Sequence, residues 1–418
     1  MCTRSYRFCF CRFAILLTLT LATANLHAYS VLTHEELIDL AWNDAIRPLL
    51  LTKFPGATDH ELVVAHSYAY GGCAIQDMGY YPFGKRFFSN LTHYVRSGDF
   101  VVWMLQNART LNEYAFAIGA LSHYLGDSVG HSQAINPATA IAFPRLERKY
   151  GSSVTYGESP HGHIRTEFAF DVQELANLEF APPAYLRAVG FRVPRKFLEK
   201  AFAHTYGFDV RSILGPDHPA LKSYRTAVRT FIPIFAEAEL VLHRHKFPPP
   251  PDDEDYRLFT QRVSRTNYDR RWKHTYKGPG VKAHLLAAVV FLVPKIGAAS
   301  DLAIKIPTPD TQQLYFHSLN HTVDRFNELL RTLSQSADPP FSLANLDLDT
   351  GDHDDPGDYP LADKTYAELV SHLASQPRHA IPTDLKQHLL HFYRDPSYTE
   401  QPGLEPLALI QQIPTTEK

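Results

Sequence analysis

Three side chains of the kind that bind metal ions are spaced four residues apart, at His123, Asp127 and His131. On an α-helix, a step of four residues turns the side chain about 40° past a full turn, so the three would lie on one stripe. Two imidazoles and a carboxylate on one stripe suit a borderline metal such as zinc. The alternative is a buried polar patch on an ordinary helix, and this motif alone does not decide between the two.

Further metal-type side chains lie on both sides of this motif. His34 comes early in the chain, Asp77 lies in a segment rich in Gly and Pro, and His93 precedes a tyrosine. His163 and Glu167 are again four residues apart, so both could reach one ion from one helix. Simpler interpretations exist: His34 as part of a helix start, Asp77 as a solvated turn residue and His93 as a packed surface histidine.

The elements that carry these residues are predicted to be helical. Residues 116–138 have no proline until Pro137 and have apolar side chains at helical spacing, which predicts a helix under the central motif. Residues 35–46 show the same pattern, with Thr33 as the N-cap and with Pro48 ending or kinking the helix. Helices are also predicted at residues 60–70, 101–110, 112–129 and 219–245 and from residue 159 onwards. We find no strand-rich region, so the predicted fold class is mainly α.

The first 28 residues have the pattern of a secretory signal peptide. Three arginines accompany an apolar run, residues 13–24, that is too short to cross a bilayer comfortably. Cleavage after Ala28 would make Tyr29 the new N-terminus, whose amine and carbonyl could chelate a metal together with His34. Cleavage after Ala24 is the competing site, and an uncleaved membrane anchor is the alternative. We therefore predict that the protein is secreted or periplasmic.

The composition argues for a globular protein and against nucleic acid as a partner. Hydrophobic residues make up 44% and charged residues 20% of the chain, which is typical of globular proteins. Removal of residues 1–28 would take away three arginines and no acidic residue, which leaves 38 basic against 44 acidic side chains. This acidic balance gives no electrostatic reason for tight binding to nucleic-acid phosphates. Cys73 would remain as the single cysteine, so no internal disulfide is expected.

The chain is predicted to divide beyond its middle. Residues 248–256 combine a run of prolines with an acidic run and are typical of a stiff, solvated linker. They would separate a helical domain at residues 29–247 from a helical C-terminal region at residues 257–418, whose role the sequence does not indicate. In that region, residues 283–293 predict a buried helix. The acidic loop at residues 347–358 is either a solvated turn or a calcium site, but its glycine comes one place early and its final Glu is missing.

Taken in order, the metal-type positions resemble those of the zinc-dependent phospholipase C family and its relatives, the single-strand-specific zinc nucleases. Members have a mature N-terminal Trp followed by a His, a loop Asp, a His-aromatic pair, a helix reading H-Y-x-G-D, a further His, and a final His-x-x-x-Glu or His-x-x-x-Asp. Here the helix reads His123-Tyr-Leu-Gly-Asp127, and the resemblance covers about residues 29–178. Tyr29 stands in place of Trp. His131 follows Asp127 more closely than in bacterial phospholipases C, a spacing similar to that of glycosylphosphatidylinositol-specific phospholipase D.

The resemblance implies a site for three zinc ions. Asp77, His93, His123 and Asp127 would hold one zinc, His131, His163 and Glu167 a second, and Tyr29, His34 and again Asp127 a third. Asp77 would also orient or deprotonate the attacking water. Tyr80, Tyr81 and Phe87 could form an apolar substrate entrance, although packing in the core explains each of them equally well.

The activity that the resemblance implies is hydrolysis of phospholipids by a zinc-dependent phosphodiesterase of the phospholipase C type, with peripheral membrane contact. Clustered dications suit this reaction because they neutralise the negative charge of a phosphodiester and of its transition state. The alternatives are a single-strand-specific nuclease or 3'-nucleotidase of the same metal architecture, and phospholipase D-type cleavage of a glycolipid anchor. A binding protein that keeps the fold with an incomplete metal set is the alternative outside enzymes.

Overall fold

The computed structural model describes residues 31–216, 219–292, 304–335, 341–376, 380–394 and 404–416, and these residues are mainly helical, as predicted. The predicted signal peptide at residues 1–28 and the candidate ligand Tyr29 lie outside the described residues. Within the described ranges, β pairing is confined to two isolated bridges, Leu346–His353 and Ile381–Thr415.

The helices are α1 (Val31–Ala41), α2 (Arg47–Lys53), α3 (Asp59–Gly72), α4 (Arg86–Tyr94), α5 (Ser97–Asn107), α6 (Leu111–Gly130), α7 (Asn136–Ala142), α8 (Pro144–Tyr150), α9 (Pro160–Asn177), α10 (Pro183–Val189), α11 (Arg195–Tyr206), α12 (Arg211–Leu214), α13 (Pro219–Thr226), α14 (Ile232–His243), α15 (Glu254–Val263), α16 (Asn267–Trp272), α17 (Val281–Leu292), α18 (Pro309–Gln335), α19 (Pro360–Ala374), α20 (Thr383–Arg394) and α21 (Leu404–Gln412). Short 3₁₀ turns occupy Gln76–Tyr80, Arg244–Lys246 and Lys273–Thr275, and π-helical turns occupy Trp42–Ile46, His131–Ile135 and Ala227–Phe231.

Helix α6 lies at the centre of the fold. It begins with a capping box in which the Thr110 hydroxyl accepts from the Glu113 N–H and the Glu113 carboxylate accepts from the Thr110 N–H. It packs closely on α3, because a Cβ atom on Gly119 would lie 2.1 Å from the Ala69 carbonyl oxygen. The predicted helix over residues 116–138 is confirmed, except that the π-helical turn His131–Ile135 interrupts it before α7.

The N-terminal helix differs from its prediction at both ends. Thr33 is not the N-cap, because the helix already begins at Val31 and Thr33 lies in its first turn. Pro48 does not end the helical path either. It occupies the first turn of α2, directly after the π-helical turn Trp42–Ile46. The chain therefore stays helical from Val31 to Lys53.

The C-terminal region packs on the same hydrophobic core as the preceding part of the chain. One cluster of buried side chains contains Phe116 and Phe170 on one side of the predicted linker and Tyr315 and Phe326 on the other. The Phe170 and Tyr315 rings stack with their centroids 4.6 Å apart. Helix α18 also contacts α1 and α6, which carry two of the predicted site segments. The division into domains at residues 248–256 stays a prediction.

Helix α17 is not the buried helix that the sequence predicts. The helix contacts α14, and its buried positions include the small side chains of Ala283 and Ala287. Its outer face exposes large apolar side chains, with Leu285 65% and Phe291 75% accessible to solvent. Within the described ranges, none of the helices combines the length and the apolar character that a bilayer crossing requires.

Candidate metal centre

The motif at the end of α6 and the start of the following π-helical turn belongs to a buried polar cluster. His123 and Asp127 are fully buried, and His131 is 4% exposed. The Asp127 carboxylate lies between the two imidazoles, with Oδ2 3.1 Å from His123 Nε2 and Oδ1 3.7 Å from His131 Nε2. The predicted stripe is therefore present and faces inward.

Two segments preceding α6 add a carboxylate and a third imidazole to the cluster. The 3₁₀ turn Gln76–Tyr80 carries Asp77, and α4 carries His93 in its last turn. His93 Nε2 lies 3.3 Å from Asp77 Oδ1 and 3.2 Å from Asp127 Oδ2. Asp77 Oδ1 is also 3.9 Å from His123 Nε2. Asp77 is fully buried, so it is not the solvated turn residue of the simpler interpretation, and His93 is not on the surface.

The N-terminal helix brings His34 to the opposite side of Asp127. His34 Nε2 lies 3.2 Å from Asp127 Oδ1, and the His34 ring stacks on the His123 ring with centroids 4.4 Å apart. Helix α1 is held there by Asp171 of α9, whose carboxylate accepts from the N–H groups of Leu32 and Thr33. His34 therefore has a fixed place in the cluster, three residues after Val31, the first described residue.

The second spaced pair completes the cluster from α9. The N-cap Ser159 starts this helix by accepting from the Gly162 N–H, and the next turns carry His163 and Glu167. Glu167 Oε1 lies 2.9 Å from His163 Nε2 and 3.1 Å from His131 Nε2. These three side chains are buried and form a group of their own beside the first one.

Charges within the cluster shift its pKa values strongly. Burial alone would raise the pKa of Asp127, but the neighbouring His123 and its other imidazole partners hold that pKa well below its usual range. Burial opposes protonation of His93, yet Asp127 and Asp77 raise its pKa to about 10. Burial raises the pKa of Glu167 to about 8. Protons on imidazoles thus balance the carboxylates, and divalent cations could replace them.

The donor set fits zinc. Three overlapping groups have ligand atoms within 4.8 Å of one another: His34, His123 and Asp127; Asp77, His93 and His123; and His131, His163 and Glu167. The carboxylate oxygens of Asp77, Asp127 and Glu167 are buried and lie near imidazole nitrogens without the alignment of a hydrogen bond. Buried polar atoms in this state need another partner, which a cation can provide.

The outer nitrogens of two imidazoles support this assignment. His93 Nδ1 lies 2.7 Å from the Ser89 carbonyl oxygen, and His123 Nδ1 lies 3.0 Å from the Cys73 carbonyl oxygen. A carbonyl accepts only from a protonated Nδ1, so it is the Nε2 atom of each ring that faces the cluster and that can give up its proton to a metal ion. This arrangement is usual for metal-binding histidines.

The three candidate substrate residues are placed differently. Tyr80 lies beside the cluster, with its ring centroid 5.9 Å from that of His93. Tyr81 is 5% exposed and packs edge-on against Tyr224 in the core. Phe87 stacks on Phe208 and also contacts His372, which is not one of the clustered histidines. Only Tyr80 is therefore placed to border the site, and the other two serve packing.

Asp349 is not among the metal-type residues predicted from the sequence, and it reaches the cluster from the acidic loop of the C-terminal region. Its Oδ1 lies 3.6 Å from His131 Nδ1 and 3.9 Å from His163 Nδ1. The loop is not a solvated turn at this point, because Asp347 and Asp349 are each only 1% exposed. The density of acidic residues was the only signal in the sequence, and it is the same for a solvated loop.

The fold and the cluster define a mainly helical protein with a buried set of clustered metal-type side chains, a kind of site that suits hydrolysis of phosphate esters. A family model described as zinc-dependent phospholipase C matches residues 33–207. The match confirms the resemblance seen in the metal-type residues, and its range includes every such residue from His34 to Glu167. It covers less than half of the chain. Comparison with curated proteins and with solved structures found no match.

Proposed function

We propose that the protein is a secreted or periplasmic zinc-dependent phosphodiesterase that hydrolyses phospholipids in the manner of a phospholipase C. The observation that carries the proposal is the convergence of five imidazoles and three carboxylates from distant segments, combined with the family match over residues 33–207. The family match and the imidazole and carboxylate donors of the buried clusters support zinc as the ion. The proposal includes three zinc ions and the Tyr29 amine as a ligand of one of them.

Each group in the cluster has a role in this reaction. Bound zinc ions would supply Lewis acidity, lower the pKa of bound water and offset the charge of the phosphodiester. Asp77 would accept the proton of the attacking water, since its carboxylate is buried among His93 and His123 and accepts no aligned hydrogen bond. Asp127 would be shared between ions, because its two oxygens face different histidines. Tyr80 would border the substrate.

The test combines metal content with hydrolysis of defined substrates. Zinc bound per chain is measured on the purified protein, and hydrolysis is measured on vesicles of phosphatidylcholine or phosphatidylinositol and on single-stranded DNA. We expect bound zinc and release of a phosphorylated head group with diacylglycerol. Release of the free head group with phosphatidic acid would instead indicate phospholipase D-type cleavage, and hydrolysis of DNA alone would indicate a nuclease.

Two histidine variants show whether the cluster is responsible. His123→Ala should lose both zinc and activity. His66→Gln is the matched control, because His66 is equally buried and lies 3.1 Å from a carboxylate oxygen of Asp39, but outside the three metal-type groups. It should keep both properties if its circular dichroism is unchanged. Wild-type turnover in a folded His123→Ala variant would refute the proposed function.

A further inference from the structure

The acidic loop of the C-terminal region is built against the segments that carry the candidate zinc ligands. The Leu348 N–H donates to the carbonyl oxygen of His93, at 3.1 Å. The Asn136 side chain donates to the Asp349 carbonyl oxygen, at 2.8 Å. Gly351 has a φ of 79°, and a Cβ atom there would lie 2.4 Å from the Ser128 carbonyl oxygen. The loop is thus fitted against α4, the end of α6 and the start of α7.

Hydrogen bonds fix the orientation of the Asp349 carboxylate. Its Oδ2 accepts from the Tyr156 N–H, at 2.8 Å, and from the Tyr359 hydroxyl. The Tyr359 hydroxyl in turn accepts from the Gly157 N–H, at 2.8 Å. With Oδ2 occupied in this way, Oδ1 points towards the imidazoles, is buried and accepts no hydrogen bond within the described residues. A side chain held so firmly by one oxygen presents the other at a defined position.

That second oxygen faces the outer edges of two imidazoles. Asp349 Oδ1 lies 3.6 Å from His131 Nδ1 and 3.9 Å from His163 Nδ1, whereas the Nε2 atoms of both rings face Glu167 Oε1 at 3.1 and 2.9 Å. These Nδ1 distances are longer than a hydrogen bond, so the interaction is electrostatic. A negative charge at the Nδ1 edge favours the tautomer with its proton on Nδ1, which leaves the Nε2 lone pair available to a metal.

We propose that Asp349 is a positioning residue of the metal centre: its carboxylate fixes the tautomer of His131 and His163 so that both bind one zinc ion together with Glu167. Carbonyl oxygens face the Nδ1 atoms of His93 and His123, and His163 has the Val154 backbone as a hydrogen-bond partner. To His131 and His163 the C-terminal region adds a carboxylate at the Nδ1 edge. Asp349 lies outside the range of the family match. The inference rests on the proposed zinc binding, and it gives the C-terminal region a part in the site.

The test compares zinc affinity in two aspartate variants of the same loop. Asp349→Asn keeps the shape of the side chain and removes the charge, and we expect zinc in one site to bind about 10–100-fold more weakly in competition with a chelator. Asp347→Asn is the control, because Asp347 is equally buried but accepts from the Asp349 N–H within the loop. It should bind zinc as the wild type does. In the cobalt-substituted protein, only Asp349→Asn should change the visible absorption spectrum.

The outcomes separate this inference from the proposed function. If the wild type binds no zinc, the proposed function fails. If the wild type binds zinc and a folded Asp349→Asn variant binds it equally tightly, the role of Asp349 is refuted. Should Asp349→Asn not fold, Tyr359→Phe decides, since it keeps the carboxylate but removes one of its hydrogen bonds. We expect Tyr359→Phe to weaken zinc binding by about 2–10-fold, and unchanged binding would refute the inference.

Discussion

Asp171 should be a major contributor to stability, because it holds the N-terminal helix on the rest of the protein. Its fully buried carboxylate accepts from the Leu32 N–H at 3.1 Å, the Thr33 N–H at 3.1 Å and the Thr33 hydroxyl at 2.8 Å. Both N–H groups belong to the first turn of α1, where no acceptor exists within the helix. Hydrogen bonds to a charged group contribute about 1.5–3 kcal/mol each.

Two substitutions of Asp171 remove these bonds to different extents. Asp171→Asn keeps one oxygen for Thr33 but turns an amide N–H₂ towards the Leu32 N–H, so we expect a loss of about 2–4 kcal/mol. Asp171→Ala removes all three bonds and should cost roughly 4–6 kcal/mol, comparable to the whole stability of many domains.

Denaturant unfolding monitored by circular dichroism, with and without a zinc chelator, measures both losses. Asp324→Asn is the control, because the Asp324 carboxylate is 62% exposed where it pairs with Arg262, so the pair should contribute only about 1 kcal/mol or less. If Asp171→Asn unfolds within about 0.5 kcal/mol of the wild type, Asp171 does not anchor α1 and the account of how His34 reaches the cluster is wrong.

Three further predictions follow from the site and its surroundings. Zinc binding should release protons and strengthen as pH rises, because His93 has a pKa of about 10 in the metal-free cluster and must lose its proton to bind zinc. Calorimetry in buffers of different ionisation enthalpy measures the number of protons released. Gly351→Ala should destabilise the acidic loop and lower zinc affinity, because a side chain at a φ of 79° is strained and would also clash with the Ser128 carbonyl oxygen. Chelator competition measures the zinc affinity and thermal unfolding measures the stability; wild-type values in both would contradict the prediction. Burial lowers the pKa of His388 to about 4, below its unfolded value of about 6.5, so the free energy of unfolding should fall by at most about 3 kcal/mol as the pH drops from about 6.5 to 4. His388→Gln should remove this part of the acid sensitivity, as measured by urea unfolding at several pH values.

The parts of the site that depend on local helical geometry were predictable from sequence. His123, Asp127 and His131 follow from a spacing of four residues, and so do His163 and Glu167, because a helix fixes which side chains share a face. The order of these residues along the chain then carried the family resemblance, which the match over residues 33–207 confirms.

The parts that depend on contacts between distant segments were not predictable. Asp349 lies 218 residues after His131 in the chain, and nothing in an acidic loop distinguishes an aspartate that folds into a cluster from one that faces water. The prediction that α17 is buried was wrong for a related reason. Its apolar run predicts burial, but whether a helix is covered on one face or on all faces depends on its neighbours, and Leu285 is left exposed.

The most direct test of the central claim is anomalous diffraction at the zinc absorption edge from crystals of the protein purified with zinc. The account predicts three peaks: one beside Asp77, His93 and His123, one beside His34, and one beside His131, His163 and Glu167. Asp127 should lie between the first two peaks, and Asp349 should lie on the far side of the His131 ring from its zinc. The account would be contradicted if zinc peaks were found only at surface residues, or if no peak lay beside any of His34, Asp77, His123 and Glu167.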